Sequence, residues 1–394
     1  MADPNERLLA LRGLPDGPGS VGALVAAADD PSPDIARVAL RRLGRSGATA
    51  AAASLRARML DVDPGLTADF ARALAELGDE EAAGRATAAL TGGSPHRRIA
   101  AATALEVLAG EAQVPALLGA LGDPLAAVRV LALRTLARIG AGVDAPACAA
   151  LLTDRDAAVR AAAVEAVAAL GPRPRRVLEA LVDDPAPTVR LALARHLALL
   201  DGRSSRILLA DRDPTVRRTA VEAAGPAEAP TLERMLGEDP TVEVRIAAAR
   251  QLAEIGHEAG TEALIAALAD PGLMVRAAAG RALRETLGRG AAVGRLLDAL
   301  AEADPDLRRS IVYALAHLRA VDAEPALAAL AGDPDRDVRL AVVRCGTELF
   351  GPAWPRLADL RADPEPAVAH AAALMREDDE AAGTLPVPGS DLGA

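Results

Sequence analysis

The stretch DPLAAVRVLALRTLARIG at 123–140 determines the fold, because it combines a turn, a helix and a stop signal in one short segment. An Asp-Pro pair opens it, and aspartate can cap free N–H groups while proline is tolerated in the first helical turn. A glycine closes it, which suits the left-handed residue that ends many helices. Between them, apolar side chains recur at helical intervals of three and four, at Val128, Leu131, Ala132, Leu136 and Ile139.

This segment recurs down the chain at intervals of about 30 residues. A second amphipathic stretch, such as VPALLGALGD at 114–123, precedes each copy. A unit of two helices cannot bury its apolar face alone, but stacked units can. The sequence therefore predicts an all-α fold, an α-solenoid (superhelix) of about 12 two-helix repeats. The clear copies are DPLAAVR (123–129), DRDAAVR (154–160), DPAPTVR (184–190), DPTVR (213–217), DPTVEVR (239–245), DPGLMVR (270–276), DPDLR (304–308) and DPDRDVR (333–339).

The pattern D-P-x-x-x-V-R followed by A-x-x-A-L-x-x-L-G resembles the HEAT-like repeat named for the phycobilisome lyases. The resemblance covers residues 20–376, and it implies a fold more strongly than a function, because members of that broad family do many things. Residues 1–19 are predicted to form an N-terminal cap segment. Residues 377–394 are polar and acidic, lack periodicity, and are predicted to be a disordered tail.

Composition narrows the functional classes. Hydrophobic residues make up 51% of the chain but aromatic residues only 1%, which fits thin layers of closely packed helices. The net charge is −11, and an acidic chain is not expected to bind nucleic acid. No lysine occurs, so all 44 basic residues are arginine. The absence of a signal peptide or a long apolar run predicts a cytoplasmic protein with no membrane contact. Cys148 and Cys345 are expected to be core residues.

The arginine that ends each motif copy lies early in the second helix of its repeat. The resemblance to HEAT-like repeats implies that these arginines form a structural ladder, in which each binds an aspartate of the neighbouring repeat. The alternative is that these arginines bind an anionic ligand. The residues concerned are Arg129, Arg160, Arg190, Arg217, Arg245, Arg276, Arg308 and Arg339.

A second column of side chains follows five residues later in each repeat, off the apolar face. In the HEAT-like family the second helix lines the concave surface, so this column is the candidate binding face. Arginine matches carboxylates and phosphates with two parallel hydrogen bonds. The alternative is that several of these arginines only pair with a glutamate four residues on, as in Arg72–Glu76, Arg250–Glu254, Arg281–Glu285 and Arg344–Glu348. The candidate residues at this position are Arg41, Arg72, Arg134, Arg195, Arg250, Arg281, Tyr313 and Arg344, and the set also includes Arg45 and Arg138, which stand one turn further along from Arg41 and Arg134.

The arginines of this column that have no glutamate four residues later lie in the N-terminal half, which is therefore the expected position of a basic patch. Tyr313 is the only tyrosine of the chain, and it can be either an interface anchor or an ordinary surface residue.

Nothing in the sequence has the pattern of a catalytic or metal-binding set. Deoxyhypusine hydroxylase resembles this fold and binds two irons through repeated His-Glu pairs, but one such pair, His257–Glu258, occurs here. We therefore expect a non-enzymatic scaffold without cofactor or metal, which binds a protein or peptide partner, and the arginine column would suit an acidic one. The alternative is a lyase- or hydroxylase-like enzyme that uses the arginine column to bind an anionic small molecule.

Overall fold

The computed structural model of the chain describes residues 3–140, 142–170, 175–256 and 260–375. Within these ranges the chain forms 24 α-helices and no strand, as the sequence predicts. The chain divides into two compact units, residues 1–204 and 205–394, and each is a stack of helix pairs. The fold is an α-solenoid. The predicted tail at 377–394 lies outside the described residues.

The first unit begins with α1, a helix that precedes the first complete pair, and continues with six pairs. Its helices are α1 (Pro4–Arg12), α2 (Val21–Ala27), α3 (Pro33–Arg45), α4 (Ala52–Arg58), α5 (Pro64–Glu76), α6 (Glu81–Gly92), α7 (Pro95–Leu108), α8 (Val114–Ala120), α9 (Ala126–Ile139), α10 (Ala145–Ala149), α11 (Ala157–Leu170), α12 (Arg175–Glu179) and α13 (Pro187–Arg195).

The second unit contains the remaining pairs, with α14 spanning the boundary between the two units. Its helices are α14 (Gly202–Leu209), α15 (Pro214–Glu222), α16 (Ala229–Glu238), α17 (Val242–Ile255), α18 (Thr261–Ala266), α19 (Leu273–Ala299), α20 (Pro305–His317), α21 (Glu324–Leu330), α22 (Arg336–Phe350), α23 (Arg356–Leu360) and α24 (Pro366–Leu374). Helix α19 joins the second helix of one repeat to the first helix of the next across Gly288, whose φ is 73°.

The second helices of consecutive repeats pack against one another within each unit. This row includes α3, α5, α7, α9, α11 and α13 in the first unit, and α15, α17 and α19 in the second. Each second helix also packs on the first helix of its own repeat, as α8 does on α9. A helix in this row is therefore covered on more than one side.

That two-sided burial explains how α9 departs from the predicted face. Val128, Ala132 and Leu136 are fully buried, as predicted, but Leu131 and Ile139 are only half-buried. Leu133, which the single-face pattern did not include, is fully buried instead. Fully burying a leucine contributes roughly 1.5–3 kcal/mol, so the neighbours on both sides add to the stability of each repeat.

Some of the repeated glycines end a helix, and others lie within one. Gly140 follows α9 with a φ of 72°, a conformation in which any other side chain is strained. Gly44, which stands near the end of the second helix of its own repeat, lies inside α3 instead. A Cβ at that position would come within 3.2 Å of the Ala73 Cα on α5, so the small residue allows the two helices to pack closely.

Paired aspartate and arginine side chains join consecutive repeats. Arg160 donates from Nε and Nη2 to the two carboxylate oxygens of Asp184, each at 2.8 Å. Its Nη1 donates to the Asp154 carbonyl of its own repeat, also at 2.8 Å. The Asp184 carboxylate accepts a further hydrogen bond from the Ala186 N–H. One guanidinium thus fixes the turn of its own repeat against the turn of the next.

We call this series the Asp–Arg ladder. Within it, each aspartate binds an arginine that precedes it by one repeat, and every aspartate except Asp30 and Asp363 also stands six residues before the arginine of its own repeat. Its pairs are Arg7–Asp30, Arg98–Asp123, Arg129–Asp154 and Arg160–Asp184 in the first unit, and Arg217–Asp239, Arg245–Asp270, Arg308–Asp333 and Arg339–Asp363 in the second. Arg7 and Arg98 were not among the predicted ladder arginines, and the constant spacing of the aspartate could have found Arg98.

Arg276 departs from the predicted ladder. Its Nη1 donates to the carbonyl oxygens of Asp270 and Pro271, as in the other copies, but it forms no ion pair with any described residue. The sequence motif DPDLR suggests Asp304 as the ladder aspartate, yet Asp304 is the N-cap of α20. Arg308 Nη1 donates to the carbonyl of Ala303, five residues earlier, whereas in the other copies of the second unit this bond reaches the aspartate six residues earlier. Arg190 Nη1 donates to the Asp184 and Pro185 carbonyls of its own repeat.

Candidate binding surface on the arginine column

The second helices expose the arginine column because their other faces are buried. In α9, Arg134 is exposed while the adjacent Leu133 and Thr135 are buried. The same holds throughout the column: every arginine of the candidate set is exposed, and Tyr313 is 37% exposed. We keep the name arginine column for Arg41, Arg45, Arg72, Arg134, Arg138, Arg195, Arg250, Arg281, Tyr313 and Arg344.

One ion pair shows that column positions of neighbouring repeats lie side by side. Arg195 on α13 donates to Glu165 on α11, with Nη1 3.0 Å from Oε1, and both residues occupy the column position of their repeats. His196 Nε2 lies 2.6 Å from the other oxygen of Glu165. Burial disfavours the charged form of Glu165, but the hydrogen bonds and charges of His196 and Arg195 outweigh it and lower its pKa. Arg195 is therefore engaged within the chain.

The glutamate pairs predicted along single helices do not form. The structure describes all eight residues of these four pairs, and none of the four arginines contacts the glutamate four residues later. Arg72 instead donates to Asp69, one turn earlier, with Nη1 2.9 Å from Oδ1. Among the described residues, six column arginines have neither a hydrogen bond nor an ion pair: Arg41, Arg45, Arg134, Arg250, Arg281 and Arg344. The sequence predicted a basic patch in the N-terminal half. Arg250, Arg281 and Arg344, which also lack a partner among the described residues, lie in the C-terminal half.

The Arg138 side chain is bound within the chain and is not available to a ligand in the way that its neighbour Arg134 is. Its Nη2 donates to the carbonyl oxygens of Ala109 and Leu105, 2.8 and 3.4 Å away, at the end of α7. The Leu105 carbonyl also accepts the Ala109 N–H, and the Ala109 carbonyl follows the last turn of the helix, so the guanidinium adds donors at the helix end. Glu106 lies in the same region, and burial raises its pKa even though the charges of Arg134 and Arg138 act in the opposite direction.

The described residues contain no group of three or more histidine, cysteine, aspartate or glutamate side chains placed to hold a metal ion. The predicted loop pair His257–Glu258 lies outside the described ranges. Cys148 and Cys345 are buried and free, as expected for core residues, and burial raises the pKa of their thiols to about 11 and about 12. No helix among the described residues combines the length and apolar character that crossing a membrane requires.

Comparison with known proteins identifies the family. The family model of HEAT repeats matches residues 114–198, 203–284 and 293–376, which is more than half of the chain. The chain belongs to the HEAT-repeat family. This match does not distinguish the phycobilisome-lyase type of repeat that the sequence motif resembles. A search of curated protein sequences gave no match.

Several solved structures of low sequence identity also match the chain. Kap121p bound to Pho4p is 13% identical over 95% of this chain, with a TM-score of 0.48, and the match spans 47% of the Kap121p chain. A structure of microtubule polymerases with TOG domain arrays is 12% identical, covering 90% of this chain and 99% of the other, with a TM-score of 0.33. An engineered protein is 20% identical, with coverages of 92% and 100% and a TM-score of 0.31.

Proposed function

We propose that this protein is a non-enzymatic binding scaffold, and that its arginine column binds an acidic segment of a protein or peptide partner. The observation that carries the proposal is the set of exposed column arginines that the described part of the chain leaves without a carboxylate. Guanidinium groups form charge-assisted hydrogen bonds with carboxylates, often two in parallel. Because this surface presents a guanidinium group on successive second helices, it suits a ligand that carries carboxylates at regular intervals.

The spacing of the column sets the expected spacing of the ligand. Arg250 and Arg281 lie on α17 and α19, which pack against each other. The axes of packed helices are about 8–10 Å apart. A peptide in the polyproline II conformation has three residues per turn and advances about 3.1 Å per residue, so every third side chain lies on the same face and about 9 Å farther along. The preferred partner is therefore a segment in this conformation with an acidic residue at every third position.

A short synthetic peptide tests this directly. We expect a labelled nonapeptide of three Glu-Thr-Thr units to bind the wild-type protein at low salt, measured by fluorescence anisotropy. The matching peptide of Gln-Thr-Thr units has the same shape without the charge and should not bind. The variant with both Arg250→Gln and Arg281→Gln should bind the acidic peptide at least tenfold more weakly, because a hydrogen bond to a charged group contributes about 1.5–3 kcal/mol.

The control variant carries Arg234→Gln and Arg284→Gln. These two arginines are exposed on α16 and α19, outside the column, and their replacement changes the net charge by the same amount. Retained binding in this variant would support the column as the site. If both double variants lose the same affinity, the interaction is a general charge effect and the proposal is wrong. It is equally wrong if the wild type does not distinguish the glutamate peptide from the glutamine peptide.

A further inference from the structure

The ladder fixes the register of the last three second helices, α20, α22 and α24. Arg308 on α20 donates from Nε and Nη2 to the Asp333 carboxylate, at 2.7 and 2.9 Å, and Arg339 on α22 donates from Nη1 to the carbonyl oxygen of the same aspartate, at 2.8 Å. Arg339 also donates from Nε and Nη2 to the Asp363 carboxylate in the turn before α24, at 2.7 and 2.9 Å. The first turns of the three helices therefore lie at the same level.

Three exposed side chains lie at one level further along these helices. Each is the ninth residue of its helix, and α24 begins three residues after Asp363, as α22 does after Asp333. Helix α22 packs against both α20 and α24. The axes of packed helices are about 8–10 Å apart. At about this spacing, the surface presents in order Tyr313, Arg344 and Leu374.

Two of these three side chains are apolar, which distinguishes this end of the column. Tyr313 is 37% exposed and Leu374 is 43% exposed. In the second helices from α3 to α19, the ninth residue is arginine, glutamate or, in α7, threonine. A single exposed apolar side chain is ordinary, but two at a fixed spacing on either side of a charge form a pattern that one ligand can match.

The charge between them is uncommitted. Within the described chain the Arg344 guanidinium makes no hydrogen bond or ion pair, and Glu348, exposed one turn later on the same helix, is not its partner. A carboxylate ligand can therefore form charge-assisted hydrogen bonds with this guanidinium, often two in parallel. A complementary ligand carries an apolar residue, an acidic residue and a second apolar residue at the spacing of the helices.

We propose that Tyr313, Arg344 and Leu374 form a specificity site at the C-terminal end of the column, which binds an acidic residue with an apolar residue three positions before it and another three positions after it. The partner segment adopts the polyproline II conformation, whose repeat of about 9 Å matches the helix spacing. Its carboxylate binds Arg344, and its two apolar side chains cover Tyr313 and Leu374. This inference rests on the proposed function, because it assigns the partner sequence that the same surface selects.

Peptides that hold this conformation test the site on the full chain. The probe is acetyl-Leu-Pro-Pro-Glu-Pro-Pro-Leu-amide, in which the prolines maintain the polyproline II conformation. Its sequence is the same in both directions, so either orientation on the column presents the same side chains. One matched peptide replaces both leucines with serine, and another replaces the glutamate with glutamine. Because Tyr313 is the only tyrosine of the chain, 3-fluorotyrosine labelling gives one fluorine NMR signal, which reports on this site.

We expect a saturable shift of this signal with the leucine–glutamate peptide. The serine peptide should bind about tenfold more weakly, because it lacks the apolar side chains that are buried on binding. The glutamine peptide should also bind at least tenfold more weakly, because it lacks the charge that pairs with Arg344. Leu374→Ser and Arg344→Gln should each weaken the leucine–glutamate peptide about tenfold for the same two reasons.

The control variant is Val321→Ser, which replaces a side chain that is 56% exposed outside the column and should leave binding unchanged. Thermal unfolding shows whether each variant retains the fold. Equal affinity for the leucine and serine peptides, or an unchanged affinity in Leu374→Ser, would overturn the inference. Binding of the Glu-Thr-Thr peptide through Arg250 and Arg281 would then still support the proposed function. If no acidic peptide binds the wild type, the proposed function and the inference are both wrong.

Discussion

Removing the charge of one ladder carboxylate tests whether the ladder holds the repeats together. We choose Asp184→Asn, because Asp184 is only 4% exposed and its partner Arg160 only 13% exposed. Asparagine keeps the size of the side chain and the acceptor for the Ala186 N–H. It leaves a largely buried guanidinium without its counter-charge, and breaking a buried ion pair in this way costs about 3 kcal/mol or more.

A double-mutant cycle separates the pair from its surroundings. We expect Arg160→Gln to cost about as much as Asp184→Asn, and the double variant to cost about 2 kcal/mol less than the sum of the two. The assay is urea unfolding followed by far-UV circular dichroism. Native-state hydrogen exchange of α11 and α13 then reports whether the loss is local, as expected for a stack in which each repeat contacts only its neighbours.

The control is Glu222→Gln, which breaks the exposed pair between Arg218 and Glu222 on α15. Both side chains of that pair are 41% or more exposed, so its loss should cost only about 0.3–0.5 kcal/mol. If Asp184→Asn costs no more than this control, the buried ladder does not stabilise the stack. A coupling energy near zero between Arg160 and Asp184 would refute the same reasoning, since the structure joins them by two hydrogen bonds.

Two further predictions concern titratable groups. Hydrogen bonding to Arg339 and to Arg7 holds the pKa of Asp363 and Asp30 below the ordinary value. Burial acts to raise the pKa of Asp154 and Asp184, but the hydrogen bonds and charges around them outweigh it and lower the pKa of both. A lowered pKa in the folded state stabilises it above the ordinary aspartate pKa of about 3.9, and this contribution is lost as the pH falls through the folded values. The urea midpoint should therefore be steady near neutral pH and decrease in acid; an unchanged midpoint at low pH would contradict the ladder pairing. Cys345, with a pKa raised by burial to about 12, and Cys148, at about 11, should resist iodoacetamide at mildly alkaline pH and react once urea unfolds the chain, as mass spectrometry can show.

The sequence by itself determined the helices, their pairing into repeats and their order along the chain. Those features follow from local signals, since apolar residues at helical intervals, Asp-Pro starts and glycine stops act within a few residues of one another. The exposure of the arginine column could be predicted on the same ground, because Arg134 or Arg250 lies off the apolar face of its own helix.

The tertiary structure decided which charges meet. Arg160 binds an aspartate 24 residues away, and Arg195 binds Glu165 on the preceding second helix rather than an acid of its own. Such partners depend on how neighbouring helices align, which a single helix does not encode. For the same reason, the motif DPDLR at 304–308 does not reveal that its aspartate caps α20 rather than binding an arginine of the preceding repeat. Only the packed turns show that Arg276 has no carboxylate partner among the described residues.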